Sequence, residues 1–118
     1  MVRCVCGKEA TEDLPEGVDE VVEVPKERFA KAKFYDKLCK KCYERVKRLS
    51  DRFKPSFSGV VYSVRYYREK GLFCIYTFNE YGDKASLCEG EKHTTTFSRN
   101  MWTGEYVVLK DDEVVGVI

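Results

Sequence analysis

Hydrophobic and polar residues alternate along the second half of the chain in a way that predicts β-strands. From Val60 to Tyr67 every second side chain falls on the same face, and most of these residues are β-branched or aromatic. Similar segments follow at 72–79, 84–88, 92–98, 104–110 and 114–118, with turn residues between them. Since no helical pattern separates these segments, the sequence predicts an antiparallel β-meander or small barrel over residues 59–118.

Residues 40–54 carry the clearest helical pattern. Four apolar residues recur at intervals of three or four and form one stripe: Cys42, Val46, Leu49 and Phe53. Two shorter elements are predicted before this helix. They are a strand at 18–24 and a short helix over 26–30, directly after Pro25, because proline suits the first position of a helix.

The natural break in the chain lies between Lys54 and Gly59. Pro55 cannot continue a helix, and serine and glycine follow it closely. A chain of 118 residues is long enough for one domain or for two small modules. We therefore predict an α+β protein with one module at 1–54, which ends in the helix, and a β module at 59–118.

Four of the six cysteines form two short pairs, and these pairs are the strongest functional signal in the sequence. One residue separates Cys4 from Cys6, and two residues separate Cys39 from Cys42. Such pairs supply the four soft donors that tetrahedral zinc prefers, and Gly7 suits a tight turn that aims them at one point. The second pair lies in the first turn of the predicted helix, where N–H groups stabilise thiolates.

A closed shell of four cysteines leaves no open coordination position. The sequence therefore predicts one structural Zn2+ per chain, held by Cys4, Cys6, Cys39 and Cys42. A redox pair, disulfide bonds and unrelated buried thiols are the alternatives that the spacing leaves open.

The surroundings of the two pairs resemble a treble-clef zinc finger. Gly7 and Lys8 follow the first pair, and residues 38–46 read Leu-Cys-Lys-Lys-Cys-Tyr-Glu-Arg-Val. The small zinc domain at the start of Clp-type unfoldases is similar in layout, with two residues rather than one inside its first pair. The resemblance covers residues 3–50. It implies a treble-clef-like zinc module, used for binding, ahead of the antiparallel β module, and it implies no particular ligand.

Cys74 and Cys88 lie in two of the predicted strands, away from the pairs. Three interpretations are open for them. They pack in the core as small hydrophobic residues, form a cross-strand disulfide, or join His93 in a second metal site.

Charge is distributed unevenly, although the formal net charge is only +1. Residues 9–23 hold seven acidic residues and no base, whereas residues 26–54 hold twelve basic residues against four acidic ones. A basic row with helical spacing lies beside the apolar stripe: Lys41, Arg45, Arg48 and Arg52. Such a row is suited to the phosphate backbone of nucleic acid.

The alternative for this row is a solvent-facing helix surface with internal ion pairs. Glu44 with Arg48, and Lys47 with Asp51, have the i, i+4 spacing of such pairs. These pairs leave Lys41, Arg45 and Arg52 without a partner. The acidic segment 9–23 is a further candidate to cover the row and mask it.

No group of residues in the sequence has the pattern of an enzyme active site. His93 is the only histidine, and Asp111, Asp112 and Glu113 are typical of a hairpin turn. We therefore predict a non-enzymatic zinc-binding protein whose partner is nucleic acid or a protein of the transcription machinery. A protein–protein adaptor that uses the zinc module and an exposed sheet edge is the alternative. No membrane partner and no small-molecule substrate are expected.

Composition and the ends of the chain suggest where the protein works. Lysine and glutamate occur 13 times each and glutamine is absent, which is typical of thermophilic proteins and favours an archaeal or viral source. The N-terminus lacks the apolar core of a signal peptide, and no apolar stretch has the length of a membrane helix. A cytoplasmic location is therefore expected.

Overall fold

The chain folds into one α-helix and ten β-strands within the residues that the computed structural model describes, which are 1–27, 31–110 and 113–117. The helix, α1, spans Lys40–Arg52. The strands are β1 (Glu12–Asp13), β2 (Glu20–Glu23), β3 (Lys33–Tyr35), β4 (Lys37–Leu38), β5 (Val61–Tyr67), β6 (Leu72–Phe78), β7 (Lys84–Cys88), β8 (Thr95–Arg99), β9 (Tyr106–Lys110) and β10 (Glu113–Val117). This composition confirms the predicted α+β class.

Eight of these strands form one sheet in the order β10-β9-β8-β7-β6-β5-β2-β3. Strands β5 to β10 each pair with the next in antiparallel register, which confirms the predicted meander. In the described part of the chain β10 and β3 are the two edges, so the sheet is open and the barrel alternative is wrong. β1 and β4 form a separate two-stranded sheet.

Strands from both sides of the predicted break belong to the same sheet. β2 pairs in parallel with β5, with Val21 opposite Val64, and β3 pairs with the other side of β2. The core likewise combines residues from both sides, among them Leu38 and Ile75. Residues 1–54 and 59–118 thus share a sheet and a core, while their independence as folding units stays a prediction.

The N-terminal cap, the buried apolar stripe and the end of the helical conformation together explain the position of α1. The Cys39 side chain caps the N-terminus by accepting a hydrogen bond from the Cys42 N–H at 3.4 Å. Val46 and Leu49 are buried against the sheet. Burial of each side chain stabilises the folded state by about 1.5–3 kcal/mol. At the C-terminus Phe53 is already extended, so α1 ends two residues before the predicted boundary. No helix of the described ranges has the length and apolarity needed to cross a membrane.

Strands β8 and β9 both begin later than the sequence predicted, because a turn precedes each of them. β8 begins at Thr95 rather than at residue 92, because a turn that includes Gly90, with φ of +90°, follows β7. β9 begins at Tyr106 because a turn closed by Gly104, with φ of +76°, precedes it. The short helix predicted over 26–30 falls partly on 28–30, which lie outside the described residues, and residues 26 and 27 are not helical.

Candidate metal centre

The first cysteine pair lies on a tight turn near the N-terminus. The Ala10 N–H donates to the Val2 carbonyl at 2.8 Å, and the Cys4 N–H donates to the Lys8 carbonyl at 2.7 Å. Gly7 closes the turn with φ of +94°, a left-handed conformation that a side chain would disfavour. The glycine predicted to shape this turn therefore does so, and both sulfur atoms point towards the body of the protein.

The second pair is positioned by the junction of β4 and α1. Leu38 at the end of β4 is fully buried, which fixes the chain where it enters the helix. Cys39 is the N-cap, and Cys42 lies one turn later on the buried face of α1. This arrangement places both sulfur atoms at the helix N-terminus, where the peptide dipoles favour negative charge.

The four cysteines meet although 32 residues separate the pairs in sequence. Their Sγ atoms all lie within 4.8 Å of one another, and the Cys6 and Cys39 Sγ atoms are 3.6 Å apart. Four ligands at about 2.3 Å from a tetrahedral zinc ion lie about 3.8 Å apart, so the cluster has the required dimensions. Cys4, Cys39 and Cys42 are buried and Cys6 is partly exposed. The four cysteines that the sequence analysis grouped therefore lie together and could hold a metal ion, while zinc binding at this site stays a prediction.

The thiols of this cluster differ in their tendency to ionise. Burial raises the pKa of the Cys4 thiol and raises that of the Cys42 thiol further. Burial also acts to raise the pKa of Cys39, but hydrogen bonds from the Cys42 backbone and from the neighbouring thiols outweigh it and lower this pKa to about 7. Of these three thiols, Cys39 therefore ionises most readily, as expected for a cysteine at a helix N-terminus.

A network of polar side chains joins the first turn to the main sheet. Arg68, in the turn after β5, donates to the Val5 carbonyl at 2.9 Å and to a Glu23 carboxylate oxygen at 2.5 Å. Tyr35 donates to the second carboxylate oxygen of Glu23 at 3.1 Å. The hydrogen bond from Arg68 lowers the pKa of Glu23. Nothing in the sequence singled out these residues, because the contacts join segments 12, 45 and 63 positions apart.

The structure separates the members of the basic row. Arg45 binds Glu89 through two hydrogen bonds, of 3.0 and 2.5 Å, and donates to the Gly71 carbonyl at 2.8 Å. Its guanidinium also lies 4.8 Å from the centre of the Phe73 ring. The expectation that Arg45 has no partner is therefore wrong, since Glu89, directly after β7, pairs with it.

The other three members line a groove of about 530 Å³ between α1 and the turn at 89–91. Lys41, Arg48 and Arg52 are exposed there. Arg48 donates to the Glu44 carbonyl at 3.4 Å, and Arg52 donates to the Glu91 carbonyl. Both acceptors are backbone carbonyls, so no described contact pairs Arg48 or Arg52 with a carboxylate. The groove is also lined by Arg45 and by the carboxylates of Asp51 and Glu89.

The acidic segment contacts other parts of the protein. Asp13 pairs with Lys37, and Asp19 accepts a hydrogen bond from the Tyr62 N–H at 2.7 Å. Glu23 binds Arg68. Lys47 and Asp51 form the predicted i, i+4 pair at 3.5 Å, and Asp51 also lines the groove.

Cys74 and Cys88 form a disulfide bond between directly opposed positions of β6 and β7. The cross-strand interpretation is therefore confirmed, and a second metal site with His93 is wrong because both sulfur atoms are already bonded. Asp111 and Asp112, which were predicted to form a hairpin turn, lie outside the described residues.

The chain has no detected relatives that would assign its cysteine cluster to a family. No protein-family model, no curated protein and no solved structure matches it. The likeness to treble-clef zinc fingers thus stays at the level of the two cysteine pairs and the helix that follows them.

Proposed function

We propose that this chain is a non-enzymatic zinc-binding protein that uses the exposed cations of α1 to bind nucleic acid. The observation that carries the proposal is the convergence of Cys4, Cys6, Cys39 and Cys42 within 4.8 Å. Four thiolates suit zinc better than the hard cations magnesium and calcium, which prefer oxygen. With every ligand position filled by protein, the ion serves the structure rather than a reaction.

The location of the cluster supports a structural role for the ion. It joins the N-terminal turn to the end of β4 and the first turn of α1. Three of its cysteines belong to the main core. An ion at this point would add a crosslink between these segments to the contacts that they already make in the core.

The groove beside α1 supports the choice of partner. Lys41, Arg48 and Arg52 place three positive charges along one side of a rigid helix. Contacts to phosphate groups supply most of the affinity of proteins that bind nucleic acid without sequence preference. Arg45 is withdrawn from this role, because its guanidinium is held by Glu89.

Metal analysis of the purified chain tests the zinc half of the proposal. We expect about one zinc ion per chain for the wild type and loss of zinc in Cys39→Ser. Cys74→Ser is the matched control and should keep its zinc, since Cys74 lies in the disulfide. Wild-type protein that is folded, metal-free and oxidised at the four cysteines would contradict it.

Retention of oligonucleotides at low and physiological salt tests the nucleic-acid half. The double variant Arg48→Gln/Arg52→Gln should lose about two units of the salt slope, because each phosphate contact contributes about one. Lys84→Gln is the control, because Lys84 on β7 is exposed and does not line the groove. If the wild type binds no single- or double-stranded oligonucleotide even at low salt, nucleic acid is not the partner.

One observation favours a protein–protein adaptor as the second candidate. The edge strand β10 exposes Val114, Val115 and Val117, and the turn before β9 exposes Trp102 at 96% of its surface. Exposed apolar residues on a sheet edge are typical of surfaces that pair with another protein. Failure of the oligonucleotide experiment together with intact zinc binding would favour this candidate.

A further inference from the structure

The turn that carries Cys4 and Cys6 depends on a residue from a distant part of the chain. Val5, between the two cysteines, is fully buried, and its carbonyl accepts a hydrogen bond from Arg68 at 2.9 Å. The peptide that begins at this carbonyl leads directly to Cys6. The direction of the carbonyl therefore sets where the Cys6 sulfur lies relative to that of Cys4.

Arg68 is itself held in place from the sheet. Its Nε donates to Glu23 on β2 at 2.5 Å, while its Nη2 serves Val5. Glu23 is shielded, with 15% of its side chain exposed, and is oriented by Tyr35 on β3. The guanidinium thus spans two acceptors with one rigid planar group, which a lysine ammonium does not do.

Val5 packs in the core with residues of the sheet, but the other described hydrogen bonds of the turn's backbone stay within it. Arg3 donates to the Gly7 carbonyl at 2.8 Å, but both residues belong to the turn and move with it. The hydrogen bonds of Cys4 and Ala10 are likewise internal to residues 2–10. Arg68 adds to this burial a hydrogen-bonded link from the turn to Glu23 on β2.

We propose that Arg68 is a positioning residue for the metal centre, which holds the Cys4–Cys6 turn in the geometry that binds zinc by bridging the Val5 carbonyl to Glu23. The inference rests on the proposed zinc-binding function. Groups that orient metal ligands without touching the metal commonly alter metal affinity 10- to 100-fold when they are removed. Arg68 acts here on the backbone of a ligand turn rather than on a ligand side chain.

The test measures zinc affinity of the full chain by competition with a chromogenic chelator. Arg68→Met should bind zinc about 10- to 100-fold more weakly than the wild type. Arg65→Met is the matched control, because Arg65 on β5 lies 4.4 Å from the centre of the Tyr76 ring and has no described contact with the cysteine turn. Arg68→Lys keeps the charge without the planar group and should recover only part of the lost affinity.

Two further measurements separate positioning from general stability. Urea unfolding of the metal-free chain should differ less between wild type and Arg68→Met than zinc affinity does. Cobalt bound in place of zinc should show an altered absorption spectrum in Arg68→Met, since the sulfur geometry changes. Equal weakening of metal-free stability and zinc affinity, with an unchanged cobalt spectrum, would show a merely structural role and overturn the inference.

The outcome also separates this inference from the proposed function. Wild-type protein that takes up no zinc overturns both. Wild type and Arg68→Met that bind zinc with equal affinity overturn the positioning role alone. A Glu23→Gln variant with weakened zinc affinity, whose effect is not additive with Arg68→Met, would support the bridge as the unit that acts.

Discussion

At the scale of single residues, the ion pair of Arg45 with Glu89 makes the stability of the fold depend on pH. Burial of Glu89 acts to raise its pKa, but the hydrogen bond from Arg45 and that from the Phe73 N–H outweigh it and lower the pKa below its usual value. A carboxyl group with a lowered pKa in the folded state stabilises the fold above its unfolded pKa. This stabilisation is lost as the pH falls through the folded pKa.

We therefore expect Glu89→Gln to be less stable than the wild type at pH 7, by about 1–3 kcal/mol, because it leaves the charge of Arg45 without its partner. The difference should shrink as the pH falls below about 4.5, the usual value for this carboxyl group. Urea unfolding from pH 3 to pH 7 measures it. Asp51→Asn, which removes the exposed pair with Lys47, is the control and should cost less than about 1 kcal/mol. A difference between wild type and Glu89→Gln that is independent of pH would contradict the assignment.

Gly59 gives a second prediction at this scale. A Cβ atom built on Gly59 would lie 2.9 Å from the Cβ of Thr77 and closer still to its hydroxyl oxygen. Thr77 is fully buried, and its hydroxyl donates to the Val61 carbonyl at 2.8 Å, so it has little freedom to move. Gly59→Ala should therefore destabilise the fold by about 1–3 kcal/mol. Gly116→Ala meets no atom within 4 Å and is the control for thermal unfolding. Equal melting temperatures for the two variants would contradict this prediction.

At the scale of elements, the helix is held by the face that the sequence pattern predicted. Leu49 is 2% exposed on the buried side of α1, and Arg48 is exposed beside it. Leu49→Ala should cost about 2–5 kcal/mol, because it removes apolar burial and leaves a cavity. Arg48→Ala should change the free energy of unfolding by about 0.5 kcal/mol or less. Denaturant titration of both variants provides the comparison, and similar costs for the two would show that the faces are assigned wrongly.

The elements that were predictable are those whose signal is local. The stripe of Val46 and Leu49 has the period of a helix, and the alternation in β5 has the period of a strand. Each pattern can be recognised within about ten residues of sequence. The parallel pairing of β2 with β5 has no such signal, because its register depends on what packs on both strands. The pairing of Arg45 with Glu89 across 44 positions was missed for the same reason. The cysteine cluster was predictable, although it too joins distant segments, because metal chemistry constrains ligand type and spacing.

At the scale of the whole molecule, loss of the proposed zinc ion should unfold the region around the cysteines without unfolding the main sheet. Removal of the metal with a chelator takes away the group that joins residues 2–10 to the start of α1. We expect amide hydrogen exchange to accelerate there first, while the central strands β5, β6 and β7 keep their protection. Exchange that rises uniformly over all described strands on chelation would instead mean that the ion supports the fold globally.

The parallel pairing of β2 with β5 has a consequence for how the protein is made. Glu20 lies opposite Ser63, so β2 must wait for 43 further residues before its partner strand exists. At a synthesis rate of about 5–20 residues per second, about 2–9 seconds pass before these residues exist. During that time the backbone N–H and C=O groups on this side of β2 lack their partner strand. Arg68 is made later still. During that interval the sheet does not yet hold the turn that carries Cys4 and Cys6. These two cysteines would then be exposed to cellular zinc and oxidants, and the rate of synthesis determines how long they could form a wrong bond.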